Sequence, residues 1–194
     1  MKIIHQIWLQ GFYEAPKELQ GYMKINKKLN PDFRYIFWNE EKIIHLMNKH
    51  DYLDLYNQFI YMHQKIDFAK YVILYYYGGI YIDGDAVCQK PLTPLLEEFP
   101  YDLIVSKLNC NMLENYLHCN HRYCINNGII YAKPKNNIIK KLIDSIVKKH
   151  DCNHYDSKMI CIEKTTGPTR LTNVIMENLD KHIKNLDWNI LNYL

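Results

Sequence analysis

The chain has 194 residues, of which 48% are hydrophobic and 23% are charged, and its formal net charge is +3. This apolar share is enough for one well-packed core, and no linker-like segment divides the chain, so we expect a single domain over residues 1–194. The basic residues are scattered, which argues against a nucleic-acid binder. No run of 18 apolar residues occurs, so no membrane-spanning segment is expected.

Apolar periodicity predicts strands and helices that alternate along the chain. The predicted strands are Ile3–Trp8, Phe33–Trp38, Ile80–Ile82, Leu103–Ser106 and Gly128–Tyr131. The predicted helices are Glu41–Lys49, Tyr52–Phe59, Lys65–Tyr77, Lys135–Lys149 and Pro168–Leu179. Such alternation is typical of an α/β fold in which a mostly parallel sheet lies between helices.

The third predicted strand ends in two carboxylates, in the motif Asp83-Gly84-Asp85. In α/β sheets ligands bind at the carboxyl ends of strands, and alternation points residues i and i+2 the same way. Two carboxylates in such a place are typical of a Mg²⁺ or Mn²⁺ site, because these ions leave other positions to water and phosphate oxygens. The alternative is a solvated Asp-Gly turn between two strands.

The helix predicted before this strand ends at a pair of glycines, Gly78 and Gly79. Such residues provide the left-handed conformation that terminates many helices. Within this helix Asp67 and Lys70 lie one turn apart, so their side chains can meet. One interpretation is an ordinary exposed ion pair of little energetic value, and the other is a pair of polar groups in a sugar pocket.

These motifs together resemble a known family. The segment Lys65–Asp85 resembles the sugar-binding region of the DXD glycosyltransferases, as found in glycosyltransferase family 32. That family is known for fungal α-1,6-mannosyltransferases and related bacterial capsule and lipopolysaccharide enzymes, and it is similar to the catalytic domain of large clostridial toxins. Shorter segments resemble other parts of the family in the same order: Lys2–Trp8, Asn126–Pro134 and Thr166–Pro168.

The resemblance implies a GT-A-like, Rossmann-like fold and a metal-dependent, retaining glycosyltransferase. The donor would be a nucleotide-diphosphate sugar, with a UDP-sugar favoured, and the transferred group a hexose or N-acetylhexosamine. The acceptor would be a glycan or other hydroxyl compound, and the cofactor Mn²⁺ or Mg²⁺. The implied donor-binding residues are Ile7, Trp8, Asp67, Lys70, Tyr81 and Asn127.

The resemblance also implies individual roles. Trp8 would pack against the nucleotide base, while Asp67 and Lys70 would hydrogen-bond the donor sugar. Asp83 would contact the ribose and the hydration shell of the metal, and Asp85 would ligate the ion that bridges the diphosphate. Asp83 and Asp85 are therefore both the catalytic and the metal-binding residues of this prediction.

Two other functions remain open. Asp83-Gly84-Asp85-Ala86-Val87 after an apolar strand also fits the Asp-x-Asp-x-Val motif of haloacid-dehalogenase-like phosphohydrolases, in which the first Asp is the nucleophile. The second alternative is a non-catalytic nucleotide-sugar-binding protein. It arises because the family usually has Arg where this chain has Lys70, and an ammonium lacks the bidentate geometry of a guanidinium.

The six cysteines and the amino terminus bear on cellular location. The strand pattern begins at Lys2 and leaves no room for a signal peptide. We therefore expect reduced thiols and a cytoplasmic enzyme, of bacterial or large-virus origin. The cluster His118–Cys124, with Cys110 before it, has no standard spacing of zinc ligands, so we expect a polar loop near the acceptor opening there.

Overall fold

A five-stranded mixed sheet forms the centre of the structure, a computed structural model that describes residues 2–107 and 124–178. The strands are β1 (Ile3–Ile7), β2 (Arg34–Trp38), β3 (Gly79–Ile82), β4 (Leu103–Lys107) and β5 (Ile125–Ala132), in the order β2-β1-β3-β5-β4. β1 pairs in parallel with both β2 and β3, whereas β5 pairs antiparallel with β3 and β4. The predicted α/β fold is confirmed, and β5 is the strand that runs opposite to the other four.

Helices occupy most of the connections between these strands. In the described residues they are α1 (Lys17–Leu29), α2 (Glu40–Lys49), α3 (Leu53–Gln58), α4 (Met62–Tyr77), α5 (Thr93–Glu98), α6 (Asn137–Lys148), α7 (Lys158–Thr165) and α8 (Pro168–Asn178). The five predicted helices are all present, with ends that differ by no more than three residues where the structure describes them. The helices α1, α5 and α7 were not predicted.

Both faces of the sheet are buried against apolar side chains. One cluster joins the inner faces of α4, α6 and α8 to sheet residues such as Tyr81 and Ile130. The other cluster packs Leu92, Leu95 and Phe99 against Ile80 on the opposite face. Because neighbouring residues of a strand point to opposite faces, Ile80 and Tyr81 contribute to different clusters. This burial on both faces explains why the central strands are apolar throughout.

The turn between α4 and β3 determines where β3 begins. Gly78 and Gly79 have positive φ angles of 61° and 100°. A Cβ on Gly79 would lie 2.6 Å from Ile3 O, so the close approach to β1 also requires glycine. The Gly78 carbonyl accepts a hydrogen bond of 2.8 Å from Nε2 of buried His5, whose Nδ1 accepts one of 3.1 Å from Trp38 Nε1. These contacts hold the strand that leads to Asp83.

The expectation of reduced thiols is wrong for three of the described cysteines. Cys152 and Cys161 form a disulfide that joins the segment before α7 to α7 itself, with their Cα atoms 5.3 Å apart. Cys124 is also disulfide-bonded, whereas Cys88 is a free, buried thiol. The rest of the predicted polar loop, His118–Tyr123 with Cys110 before it, lies outside the described residues. In the parts of the chain that are described, no helix has the length and hydropathy needed to cross a bilayer.

Candidate active site

The Asp83-Gly84-Asp85 motif leaves the sheet at the carboxyl end of β3. The amide of Asp83 donates to Gly128 O of β5 at 2.8 Å, which extends the pairing of β3 with β5 by one residue. The amide of Ala86 donates to Asp83 O at 3.1 Å and closes a turn. Asp83 is partly buried and Asp85 is exposed. The motif is therefore both a strand end and a turn, with its carboxylates at an open edge of the sheet.

Lys70 of α4 is buried beneath this turn, with only 2% of its side chain exposed. Its Nζ lies 2.8 Å from Asp67 Oδ1, 3.1 Å from Asn127 O and 3.7 Å from Asp83 Oδ1. It also lies 5.0 Å from the centre of the Tyr81 ring. An ammonium buried without such partners would be strongly destabilising. The interpretation of Asp67 and Lys70 as an exposed surface pair is therefore wrong, because both side chains are buried. The ammonium of Lys70 also reaches Asp83 at the end of β3.

The Asp67 carboxylate accepts hydrogen bonds on both of its oxygens. Asn127 Nδ2 donates to Oδ1 at 2.9 Å, and Lys70 Nζ lies 2.8 Å from the same atom. Thr166 Oγ1 donates to Oδ2 at 3.1 Å. Asn127 Nδ2 also lies 3.3 Å from the hydroxyl of Tyr71, which donates to Thr166 O at 2.8 Å. Three separate elements therefore meet at this carboxylate, because α4, β5 and the turn between α7 and α8 that carries Thr166 each bring one donor to it.

Burial and charge act against each other in this cluster. Burial raises the pKa of the Asp67 carboxyl, and the charge of Lys70 opposes that rise. Burial alone would lower the pKa of Lys70, but the charges of Asp67 and Asp83 raise it above its ordinary value, so the ammonium stays protonated. Burial also raises the pKa of Tyr81 well above its usual range. The phenol therefore keeps its proton and donates a hydrogen bond of 2.8 Å to Asp83 Oδ1.

These side chains line one cleft of about 490 Å³. All eight residues of the sequence-based prediction contribute to its wall: Ile7, Trp8, Asp67, Lys70, Tyr81, Asp83, Asp85 and Asn127. Five further lining residues had no predicted role: Leu19, His63, Ile66, Ile162 and Pro168. The cleft therefore has one acidic end at the strand tip and a largely apolar wall beyond it.

Two glycines allow close approach inside this cleft. A Cβ on Gly128 would lie 2.6 Å from Asp83 Oδ2, so a side chain at this position would displace the carboxylate. A Cβ on Gly84 would lie 3.1 Å from the terminal carbon of Met23 and 3.7 Å from the Trp8 ring. The glycine of the motif is thus packed against Trp8, and Gly128 provides the space that Asp83 occupies.

Sequence reasoning did not identify the residues that hold the chain after the motif. Asn26 of α1 is fully buried; its Nδ2 donates to Ala86 O at 2.9 Å, and its Oδ1 accepts from the Cys88 amide at 2.7 Å. Asn30 accepts from the Leu92 amide in the same way, at 2.7 Å. These contacts join residues about sixty positions apart in the chain, so no local sequence pattern predicts them. They anchor the segment that follows Asp85 against α1.

The charges at the strand tip are suited to a divalent cation. Lys70 compensates Asp67, which leaves the negative charges of Asp83 and Asp85 at the edge of the cleft. Mg²⁺ and Mn²⁺ use one or two protein carboxylates and complete their shells with water and phosphate oxygens. Within residues 2–107 and 124–178, no group of three or more His, Cys, Asp or Glu side chains could hold a metal ion alone. The donor set thus suits a cation shared with a phosphate-bearing ligand.

Comparison with solved structures defines the class of fold. The PaToxG glycosyltransferase superposes with a TM-score of 0.64 at 20% identity, over 98% of this chain and 73% of that one. The ligand-free glycosyltransferase domain of the YGT toxin superposes with a TM-score of 0.50 at 12% identity, over 91% of this chain and 77% of its own. The fold is therefore that of GT-A glycosyltransferase domains, as predicted.

Sequence comparison identifies the sugar-binding region. The family model described as "glycosyltransferase sugar-binding region containing DXD motif" matches residues 16–102. An uncharacterized glycosyltransferase of Acanthamoeba polyphaga mimivirus is 30% identical over 187 residues, which cover 94% of this chain and 66% of that protein. The chain therefore contains the DXD-motif sugar-binding region of glycosyltransferases, which confirms the resemblance inferred from the sequence.

The alignments with fungal relatives cover less than half of the length of those proteins. Inositol phosphoceramide mannosyltransferase 1 of Schizosaccharomyces pombe is 34% identical over 107 residues, or 53% of this chain and 33% of its own length. A mannosyl phosphorylinositol ceramide synthase of Saccharomyces cerevisiae is 28% identical over 174 residues, or 88% of this chain and 40% of its own. This chain thus spans from one third to two thirds of the length of these curated relatives.

Proposed function

We propose that this chain is a metal-dependent, retaining glycosyltransferase. It moves a hexose or N-acetylhexosamine from a nucleotide-diphosphate sugar to a hydroxyl of a glycan or other acceptor. The observation that carries this proposal is the meeting of the Asp83 and Asp85 carboxylates with the buried cluster of Asp67, Lys70 and Asn127 in one cleft. Acidic groups for a metal and polar groups for a sugar are then within reach of one ligand.

Each end of the cleft has its own part in this proposal. Trp8, next to Ile7 at the end of β1, offers a partly exposed ring on which a nucleotide base can stack. Asp67 and Asn127 offer hydrogen-bonding groups for sugar hydroxyls. Lys70 holds Asp67 and Asp83 at a fixed separation through its charge, beside the ring of Tyr81.

The strand tip would hold Mn²⁺ or Mg²⁺. Asp85 would ligate the ion, and Asp83 would contact its hydration shell and the ribose. When bound, such an ion supplies Lewis-acid stabilisation of the negative charge that grows on the departing diphosphate. Tyr81 and Lys70 orient Asp83 for this task, because both contact its Oδ1. Gly128 keeps the other oxygen, Oδ2, free of a side-chain clash.

The names of the relatives guide the choice of substrates. One fungal relative is named as an inositol phosphoceramide mannosyltransferase and another as a mannosyl phosphorylinositol ceramide synthase. GDP-mannose should therefore be tested beside the UDP-sugars that the sequence favours. A phosphoinositol-bearing lipid should be tested as an acceptor beside simple glycans. The family match favours all of these over the substrates of a phosphohydrolase.

The test is a panel of UDP-, GDP-, ADP- and CMP-sugars, each with and without Mn²⁺. Thermal shift reports binding, because a ligand at 100 times its Kd stabilises the folded state by about 2.7 kcal/mol. Release of nucleoside diphosphate and transfer to an acceptor report turnover. We expect one class of nucleotide sugar to stabilise the chain only with Mn²⁺ and to be turned over.

Two variants make the panel specific. Asp85→Asn should abolish Mn²⁺-dependent stabilisation and turnover while changing the melting temperature of the free protein little, because Asp85 is exposed. Asp102→Asn is the matched control, since Asp102 is also exposed and its carboxylate pairs with exposed Lys133. Binding without turnover would favour the non-catalytic binding protein, and phosphate release from phosphomonoesters would favour the phosphohydrolase. Full activity of Asp85→Asn would refute the metal role.

A further inference from the structure

A stripe of buried polar side chains runs along α4 beneath the cleft. Gln64, Asp67 and Tyr71 are spaced three and four residues apart, so they share one face of the helix. Gln64 and Tyr71 are fully buried, and Asp67 is 8% exposed. Polar groups at such depth require hydrogen-bond partners. Each of the three finds a partner in the same two residues, Thr165 and Thr166.

The contacts follow the helix in order. Gln64 Nε2 donates to Thr165 Oγ1 at 2.9 Å. One turn further on, Thr166 Oγ1 donates to Asp67 Oδ2 at 3.1 Å. After a second turn, the Tyr71 hydroxyl donates to Thr166 O at 2.8 Å. Both threonines are fully buried, so these three bonds attach the end of α7 to α4 away from solvent.

The Thr166 hydroxyl hydrogen-bonds two residues of the cleft wall, Asp67 and the carbonyl of Ile162, whereas the Thr165 hydroxyl bonds Gln64 and the Cys161 carbonyl. Asp67 lines the cleft, whereas Gln64 is not among the cleft residues. Asn127 and Lys70 hold Oδ1 of Asp67, but rotation of a carboxylate about its last bond is soft and broad. The bond from Thr166 holds Oδ2 on the other side of the carboxylate and so adds a restraint on the plane of the group. The two adjacent threonines therefore make similar bonds with different consequences.

We propose that Thr166 is a positioning residue for donor-sugar recognition: its hydroxyl orients the Asp67 carboxylate toward the sugar. This inference rests on the proposed function, because it takes the ligand of Asp67 to be the donor sugar. Tyr71 supports the same geometry by holding the Thr166 carbonyl. Thr165 attaches the same segment to α4 without contacting Asp67.

The adjacent threonines provide a matched pair of variants. Thr166→Val and Thr165→Val each keep the side-chain shape and each remove one buried hydrogen bond to α4. The probes are UDP-glucose or GDP-mannose, whichever stabilises the wild type with Mn²⁺, and the sugar-free UDP or GDP. Thr166→Val should weaken nucleotide-sugar binding about 10-fold or more and leave nucleoside-diphosphate binding within about twofold, since hydrogen bonds to charged groups are the stronger kind. Thr165→Val should leave both affinities within about twofold, and Thr166→Ser should restore sugar binding.

Several outcomes would overturn the inference. Equal loss of nucleotide-sugar and nucleoside-diphosphate binding in Thr166→Val would mean that Thr166 is only structural. Equal sugar-specific losses in both valine variants would mean that anchoring of the segment, rather than orientation of Asp67, is responsible. If Thr166→Val does not fold, Thr166→Ala and Thr166→Ser are compared in the same way. A wild type that binds no nucleotide sugar would instead refute the proposed function, and this inference with it.

Discussion

The buried histidine beneath the α4–β3 turn should make the protein sensitive to acid. His5 is fully buried; its Nε2 donates to Gly78 O, and its Nδ1 accepts from Trp38 Nε1. Protonation would place a second N–H against the Trp38 N–H, so the charged form loses a partner. Burial lowers the pKa of His5 to about 4; the Gly78 carbonyl opposes this shift, and Arg34 adds to it.

The direction and size of the effect follow from proton linkage. An unfolded chain takes up this proton near pH 6.5, whereas the folded chain takes it up only near pH 4. The unfolded state therefore binds more protons between these values, and the free energy of unfolding falls as the pH falls through this window. At about 1.36 kcal/mol per pKa unit, the loss is about 3 kcal/mol, a large share of the typical stability of a domain.

Urea unfolding of wild type and His5→Gln between pH 7 and pH 4.5 measures this effect. Glutamine carries both a donor and an acceptor but does not titrate, so the difference between the two curves isolates His5 from the carboxylates. We expect wild type to lose more stability than the variant on acidification, by up to about 3 kcal/mol. His45→Gln, at an exposed histidine, should track wild type. Parallel curves for wild type and His5→Gln would refute the reasoning.

Two further substitutions test the cleft. Gly128→Ala places a Cβ 2.6 Å from Asp83 Oδ2, and we expect turnover of the donor to fall on the order of 10- to 100-fold because the carboxylate must move. Gly21→Ala is its control, since a Cβ there meets nothing within 4 Å, and similar activities of the two variants would contradict the role of Gly128. Trp8→Ala should weaken nucleotide binding by about 1 to 3 kcal/mol in calorimetry if the ring stacks on the base, whereas Trp8→Phe should retain most of it. An unchanged affinity in Trp8→Ala would assign Trp8 to packing alone.

Part of the helical structure could not be predicted because its buried face is polar. In α1 the buried residues are Gln20, Met23 and Asn26, so the apolar spacing that marks an amphipathic helix is missing. Gln20 is satisfied by Ala15 O at 2.7 Å, and Asn26 by the backbone that follows the motif. These buried polar side chains are stabilised by hydrogen-bond partners that come near them only when the chain folds. The six-residue helix α5 is too short for the spacing of its apolar residues to indicate a helix.

The disulfide of Cys152 and Cys161 was missed for a related reason. Reduced thiols were expected from the sequence around the amino terminus, which carries no information about the distance between two side chains. Their proximity follows from the loop that brings residue 152 back against α7. Gln64 Nε2 lies 3.6 Å and 3.7 Å from the two sulfur atoms, so the bridge sits at the start of the polar stripe on α4.

Local periodicity and adjacent residues encode the alternation of strands and helices, the glycine turn before β3 and the two carboxylates at the end of that strand, so the amino-acid sequence predicts all of them. The sequence also places Asp67 and Lys70 one helical turn apart. The burial of this pair and its contact with Asp83 depend on the folded structure. The cause is physical: Asn127 and Thr166, at 60 and 99 residues from Asp67 along the chain, supply the donors that a buried carboxylate requires, and only the folded sheet and the α7–α8 turn bring them to it.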